Sequence, residues 1–558
     1  MTVTNATGIV YNRRHCAKSG DARGSKDNKL TRHWRRSKLQ QRAQHASDTD
    51  MPMESQEPFD ILDILIVGAG ISGIDAAYHL QTALPQKTYA ILEARDAIGG
   101  TWDLFRYPGV RSDSDMHTLG FPFRPWQADE AIAGGPAIWD YIRETAAHYG
   151  IDRHIRLGHR MIRASWSSVD FRWTVEAQVK DGRTVRLVCR FLYMCSGYYS
   201  YEKGFSPEFP GMKRFQGQFV HPQEWPEALD YTGKRIVVIG SGATAVTLAP
   251  ALAKNAAHVT MLQRSPSYVV TLPSKDAKAI WMYRHLPKGL AAKLTKWKNV
   301  LYSITMFHLA RTKPTMLKGM ILKGIKQQLN PDFDVERHFT PRYNPWDQRI
   351  CLVPDGDLFL AIRSGRVEIV TDTIAEILES GIRLSSGTTL PAEIIVSATG
   401  LVVQLMGGAE ILVDGVPAKF NEKLVYKGAM FSGIPNLALA FGYTNNSWTL
   451  RCDITARFVC RLLKYMDRKG WSVCVPSLPD PSVNPEPLLD FSSGYVRRAD
   501  GVLPKQGQRA PWRVPQNYVK DLAAFMFGSV NDGTMNFLRT SEADNGSPVG
   551  NVHSRATI

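Results

Sequence analysis

The sequence predicts an α/β fold of two parallel-sheet units, the second inserted in the first and carrying a helical subdomain. Three observations predict it. Two glycine-rich turns, Gly68-Ala-Gly70-Ile-Ser-Gly73 and Gly240-Ser-Gly242-Ala-Thr-Ala245, lie about 170 residues apart, each between an apolar run and a helical pattern. A late apolar run, Ala392-Glu-Ile-Ile-Val-Ser397, ends in Ala398-Thr399-Gly400 and reads as the crossover back into the first unit. Between the second turn and that crossover, residues 267–331 are helical and basic. A chain of 558 residues, 44% apolar and 22% charged, exceeds what one hydrophobic core covers and has ordinary globular composition, so several domains are expected.

Taken in order, residues 1–57 are rich in Arg, Lys, Ser, Gln and His without apolar periodicity, which predicts a disordered extension. Met51 and Met53 stand just before the first strand and would start a compact chain in the usual place. Residues 58–200 form the first part of the first unit. Its strand Ile64-Leu-Ile-Val67 enters the turn, a helix begins near Ile71, and Tyr89-Ala-Ile-Leu92 ends at Glu93. Arg172–Val179 and Thr184–Val188 alternate as a hairpin, and Phe191–Gly197 returns to the sheet. Residues 201–229 are a linker, 230–390 the second unit, 391–528 the second part of the first unit, and 529–558 a flexible polar tail.

Each turn has the form of a Rossmann dinucleotide site. Its glycines serve a tight turn, close approach of backbone to a pyrophosphate, and close helix-strand packing, while the helix N-terminus offers unpaired N–H groups to the anion. Ala245 replaces the third glycine of the second turn with a residue still small enough for that packing. The residues ending the two acceptor strands differ in charge. Glu93 can accept both ribose hydroxyls and repels a 2′-phosphate, so the first site is assigned to FAD (or NAD); Arg264, followed by Ser265, suits that phosphate, so the second is assigned to NADPH.

Two further motifs choose the chemistry. Phe215-Gln-Gly217-Gln-Phe-Val-His221-Pro-Gln-Glu-Trp225-Pro226 resembles the FxGxxxHxxxW(P/D) signature of type I Baeyer-Villiger monooxygenases, within the flavin-containing monooxygenase superfamily. Gly99-Gly100-Thr-Trp102 through Tyr107-Pro108-Gly109 to Asp113 matches a second signature of that family at every specified position. Phe339–Arg349, Leu503–Gly507 and Pro511-Trp512-Arg513 look like its ethionamide-activating group in particular. The resemblance covers about residues 60 to 520. It implies FAD, NADPH and O2 as reactants, a flavin C4a-peroxide, insertion of one oxygen into a ketone to give an ester or lactone, and S-oxygenation of sulfides or thioamides.

The resemblance carries Arg349, at the end of Pro345-Trp-Asp-Gln-Arg349, onto the family's active-site arginine, and Asp113 onto the aspartate that orients it. Thr399, Gly400 and Gly100 are carried over as cofactor contacts, with Trp102 and Tyr107 as walls of the flavin pocket. Phe215, Gly217, His221 and Trp225 lie between the units, where bracing a hinge is preferred to proton transfer. Three rivals stand against this reading. A flavin disulfide reductase needs a cysteine pair beside the flavin, and the seven cysteines have no such spacing. An amine N-hydroxylase, like other N- or S-oxygenating flavin monooxygenases without ketone activity, is disfavoured by Trp225-Pro226. A non-catalytic flavin protein docking through its basic regions is the third.

The net charge of +16 is regional. Residues 1–46 carry +9 and residues 275–326, with twelve Lys/Arg against Asp276, carry +11, leaving −4 elsewhere, so no nucleic-acid partner is implied. Leu290, Leu294, Trp297, Leu301 and Ile304 recur at three and four with Lys293, Lys296 and Lys298 among them, and read as a core face beside solvated lysines. Peripheral contact with an anionic bilayer is the alternative. An odd cysteine count suits free thiols in a reducing cytoplasm, or on the inner face of the cell membrane. No metal-ligand spacing occurs, so no metal is expected; no motif names the ketone or sulfur substrate or the oligomeric state.

Overall fold

In the computed structural model, which describes residues 61–477, 483–489, 493–499 and 501–539, the first glycine turn follows a strand with neighbours on both sides. β1 (Ile61–Val67) pairs in parallel with β2 (Tyr89–Leu92), which pairs in parallel with β3 (Ile155–Arg156). Helix α1 (Ile71–Ala83) makes the first crossover. Residues 64–67 are all buried, as expected for a parallel strand covered on both faces. An antiparallel meander of β4 (His159–Ser167), β5 (Arg172–Val179) and β6 (Thr184–Met194) follows. The hairpin expected from alternation is present, with Trp173, Val175 and Ala177 on its buried face. The last residues of β6 pair with β1, joining meander and parallel strands in one sheet.

The chain leaves along β7 (Tyr199–Gly204) and enters a second sheet through β8 (Gln218–Val220), β9 (Arg235–Ile239) and β10 (His258–Gln263), with helix α2 (Ala243–Leu252) after the second glycine turn. A parallel ribbon of β11 (Val269–Leu272) and β12 (Cys351–Pro354) brackets the helical insertion. β13 (Val367–Thr371), an antiparallel trio of β14 (Ile374–Leu378), β15 (Gly381–Leu384) and β16 (Thr389–Pro391), and β17 (Ile394–Ser397) complete the unit. The sheet order is β13-β10-β9-β17-β8, parallel throughout. This corrects two expected boundaries: the strand at 394–397 and the linker strand at 218–220 both belong to the second unit. An apolar run buried on both faces looks the same whichever sheet receives it. The return to the first unit comes after Gly400, where Leu401–Val403 pairs antiparallel with β7, so outgoing and returning crossovers lie side by side.

The returning chain adds Glu410–Val413 beside β4 and Leu437–Leu439 beside β6, and packs helix Trp448–Lys469 on α1. Met535–Leu538 forms a strand paired with Val473–Pro476. The expected tail from 529 is therefore structured through Leu538: Met535 is buried, and Phe537 packs on Tyr465 with ring centroids 5.1 Å apart. The expected disordered extension, the starts at Met51 and Met53, and residues 540–558 lie outside the described residues.

The insertion consists of α3 (Ala277–His285), α4 (Lys288–Thr312) and α5 (Pro314–Lys326). Its apolar stripe corrects another expectation. Leu290, Leu294, Trp297 and Leu301 are 46, 44, 37 and 54% exposed, whereas Ile304 packs partly buried against the core and Ala291, Thr295 and Val300 are buried. Periodicity identifies a face without saying what covers it. Lys296 does not flank the stripe; its ammonium lies 5.4 Å from the Tyr518 ring centroid, and burial pushes its pKa down. Among the described residues no helix is long and apolar enough to cross a membrane.

Candidate active site

Backbone contacts explain the first glycine turn. Gly68 has φ +106°, and a Cβ there would lie 2.5 Å from the Cys195 carbonyl oxygen; one at Gly73 would lie 1.9 Å from that of Gly68. The Gly99-Gly100 turn stacks on it, with Gly99 N donating to Ala69 O at 3.1 Å and a Gly100 Cβ position 3.0 Å from Gly70 Cα. Buried Glu93 accepts the Ala69 N–H at 2.8 Å on one carboxylate oxygen and the Arg95 N–H at 2.9 Å on the other. Burial raises its pKa against those two hydrogen bonds. The two turns, Glu93 and Trp102 line a cavity of about 390 Å³.

Arg349 and Asp113 line the same cavity, and Arg349 Nη1 donates to Asp113 Oδ2 at 2.8 Å. Their side chains are 37% and 48% exposed, so this ion pair opens onto the cavity. Burial works against the guanidinium charge, but Tyr198, Asp113 and Tyr495 outweigh it and hold the pKa above its ordinary value. Tyr198 stacks on Trp448 at 5.4 Å, and Trp448 Nε1 donates to Ser72 Oγ at 2.8 Å, tying this wall to α1. Tyr198, Tyr443, Asn446 and Trp448 line the cavity and Tyr495 acts on Arg349, yet none was foreseen. One available signal was the Tyr198-Tyr199 pair directly after the strand-ending Gly197.

The second turn is built similarly. Gly240 has φ +143° and its Cβ position lies 2.4 Å from Ala398 O, while Ala245, in the first turn of α2, is fully buried. Gly242 differs: among the described residues, nothing lies within 4 Å of a Cβ built there, so the turn is open at that point. At the end of β10, Gln263 is buried and donates to His338 O at 2.8 Å, whereas Arg264 and Ser265 are exposed beside the turn. Ser241 Oγ, in the turn itself, donates to Ser265 O at 3.0 Å.

The fingerprint residues gather at the crossovers. A Cβ at Gly217 would lie 2.3 Å from Glu393 O, and Phe215 and Trp225 pack against the second unit. His221 Nδ1 accepts the Gln223 N–H at 3.1 Å, which leaves the proton on Nε2 to donate to Gly400 O at 3.3 Å. Burial lowers the His221 pKa and favours that neutral ring. A Cβ at Gly204 would fall 1.8 Å from the ring, so His221 fills the space between β7 and Gly400. Thr399 Oγ1 donates to Phe205 O at 2.6 Å. The structure thus brings Arg349 and Asp113 to the first turn, and His221, Thr399 and Gly400 to the crossovers; these last three are not in the cavity wall.

A second polar cluster lies in the first unit. Asp75 on α1, His79 and Asp453 place one ligand-type atom each within 4.8 Å of one another. His79 Nε2 lies 2.9 Å from Asp453 Oδ1 and Arg457 Nε 3.2 Å from Asp453 Oδ2, so the imidazole and the guanidinium already satisfy Asp453.

A family model described as flavin-binding monooxygenase-like matches residues 131–464, and one for NAD(P)-binding Rossmann-like domains matches residues 66–132. The chain is 54% identical over 479 residues to the FAD-containing monooxygenase EthA of Mycobacterium tuberculosis, covering 86% of this chain and 98% of that one. It is 46% identical over 478 residues to the probable FAD-binding monooxygenase AlmA of Acinetobacter baylyi, covering 85% and 96%. Among solved structures, a steroid monooxygenase bound to NADP superposes with a TM-score of 0.63 at 24% identity, covering 75% of this chain and 88% of that one. Cyclohexanone monooxygenase bound to ε-caprolactone superposes with 0.67 at 19% identity, covering 86% and 100%. At these identities the two structures establish the fold.

Proposed function

The chain belongs to the flavin-binding monooxygenase-like family, and from that premise we propose that it holds FAD, draws hydride from NADPH, and inserts one atom of O2 into a ketone to give an ester or lactone, with S-oxygenation of sulfides or thioamides as a second activity. The observation that carries this reading is the Arg349–Asp113 pair facing a cavity whose far wall is two stacked glycine turns.

The residues present fit both nucleotides. Backbone N–H groups at Gly70 and the start of α1 suit a pyrophosphate, and Glu93 keeps lone pairs beyond its two backbone hydrogen bonds for a ribose. The open space over Gly242 and exposed Arg264 and Ser265 suit the second pyrophosphate and a 2′-phosphate. Bound flavin, once reduced, supplies the activation of oxygen. The chain supplies the rest. Arg349 sets a permanent positive charge where negative charge develops on the substrate oxygen, and Asp113 fixes its direction. The Tyr198–Trp448 stack walls the same space with apolar surface and limits water there. His221 braces the crossovers and holds no proton that the cavity receives.

We place the enzyme in a reducing cytoplasm, a reading supported by six free, buried cysteines among the described residues. Peripheral contact with the inner face of the membrane is supported by the exposed stripe of α4. A panel of ketones and sulfides, assayed by product mass with hydrogen peroxide measured alongside, tests the reaction. Oxygenated product with little peroxide is expected; NADPH consumption that yields only peroxide on every compound refutes the proposal.

A further inference from the structure

Helix α4 has two faces with different tasks. Leu290, Leu294, Trp297 and Leu301 share the outward face, and Trp281 of α3 with Met316 and Met320 of α5 extend the exposed apolar surface. A groove between α3 and α4 is lined by Ala277, Trp281, Met282 and Leu294 and carries Lys278 and Lys298. The segment 275–326 holds twelve Lys/Arg against one acid, so its apolar surface sits in a strongly positive field. Apolar side chains set among lysines, on helices too polar to span a membrane, match the anionic interface of a bilayer.

The inward face of α4 grips the wall of the candidate active site. Asn299 Nδ2 donates to Asp115 Oδ1 at 2.8 Å, and Val300 is buried in the cluster that includes Leu119, itself a cavity residue. Farther along, Arg311 Nη1 donates to Asp347 Oδ1 at 3.2 Å and Phe307 packs edge-on to Trp346. Asp115 stands two residues from Asp113, and Asp347 two from Arg349. One helix therefore carries an apolar outer surface while its other side holds both chain segments that present the ion pair.

We propose that the outer face of α3, α4 and α5 docks on an anionic bilayer, and that the substrates reaching Arg349 are apolar ketones or sulfides dissolved in that bilayer. The docking stands on the surface alone, while the substrate class rests on the monooxygenase reading. The helix lying in the lipid interface is also the helix that holds the segments presenting the ion pair, which sets the bilayer beside that side of the cavity.

The test uses the full-length FAD-loaded enzyme, vesicles of phosphatidylcholine with or without an equal amount of phosphatidylglycerol, a long-chain methyl ketone carried in the vesicles, and phenylacetone in water. The wild-type protein is expected to co-sediment with the anionic vesicles and to release them as salt rises. The exposed pair Leu294→Ser and Leu301→Ser, combined, is expected to weaken vesicle partition roughly a hundredfold, about tenfold for each apolar side chain withdrawn from lipid. Oxidation of the vesicle-borne ketone should fall in parallel, with kcat/KM for phenylacetone and the melting temperature unchanged. Lys293→Glu should weaken partition at low salt only. Failure of the wild-type enzyme to sediment with anionic vesicles overturns the docking. A serine variant that no longer sediments but oxidises vesicle-borne ketone at the wild-type rate overturns the substrate route. If the wild-type protein sediments but oxidises neither these ketones nor any ketone or sulfide of the panel, the monooxygenase reading falls and takes the substrate class with it, while the docking face stands.

Discussion

Replacing Arg349 by alanine should separate the two halves of the reaction. The arginine lies on the cavity wall with its charge held by Asp113 at 2.8 Å, and both side chains are substantially exposed. An ion pair that open contributes about 0–1 kcal/mol to folding, so the melting temperature should move by no more than a few degrees. In the proposed reaction its worth would lie in catalysis: a preorganised donor at a developing oxyanion is typically worth ~10² to 10³ in rate, or about 3–4 kcal/mol. Asp113→Ala removes only the partner. One charge-assisted hydrogen bond, discounted for exposure to about 1 kcal/mol, corresponds to a loss of roughly fivefold. The two variants should therefore differ by more than an order of magnitude. Anaerobic stopped-flow reduction of the flavin by NADPH reports the first half-reaction, and ester formation by product mass reports the second. Reduction is expected to be unchanged in both variants. If Arg349→Ala lost less than tenfold in ester formation, or slowed flavin reduction by the same factor, the arginine would not be serving the oxygen-transfer step.

Arg264→Ala should cost roughly tenfold in the ratio of kcat/KM for NADPH over NADH, the lower end for a charge-assisted hydrogen bond because the side chain is exposed; an unchanged ratio refutes the 2′-phosphate assignment. Gly242→Val would place a Cβ with no described atom within 4 Å, and the φ of −83° there suits an L residue, so flavin content and melting temperature should stay put while KM for NADPH rises; an unaltered KM would show that the space over Gly242 is not used. Asp75→Asn tests the buried cluster. Both Asp75 carboxylate oxygens are buried without a hydrogen bond, and desolvation, then Asp453, raise its pKa well above the carboxylate range against Arg457 and Lys296. A raised folded pKa stabilises below the unfolded value and the contribution is lost as pH rises through the folded one. The asparagine variant should therefore gain melting temperature over wild type at pH 9, with the gain shrinking as pH falls toward the ordinary carboxylate range; a gain independent of pH would refute it.

The parts legible in the sequence were those whose chemistry is local. Gly68, Gly73 and Gly240 announce themselves because a side chain at each would strike a nearby carbonyl, and the turns around them set these positions within a few residues. Arg349 and Asp113, 236 residues apart, were paired only through the family resemblance. Tyr198, Asn446 and Trp448 escaped notice because sheet pairing and the packing of Trp448–Lys469 on α1 carry them to the cavity from separate segments. Ile394–Ser397 was assigned to the wrong unit because a doubly covered strand bears no mark of its neighbours. Met535–Leu538 was lost behind the polar loop that precedes it, although Met535 and Phe537 supply apolar anchors two residues apart.

The paired crossovers restrict how the nicotinamide-side lobe can swing. A single connecting strand would let that lobe spin about its tether as well as tilt. Two antiparallel chains hydrogen-bonded between Leu401 and Gly204, with the imidazole of His221 wedged beside them, act as twin rails: torsion about their shared axis would have to shear the ladder, whereas flexing perpendicular to the ribbon would not. In the proposed reaction, coenzyme carried by that lobe would thereby be confined to an arc in one plane, approaching and retreating from the flavin along a repeatable path.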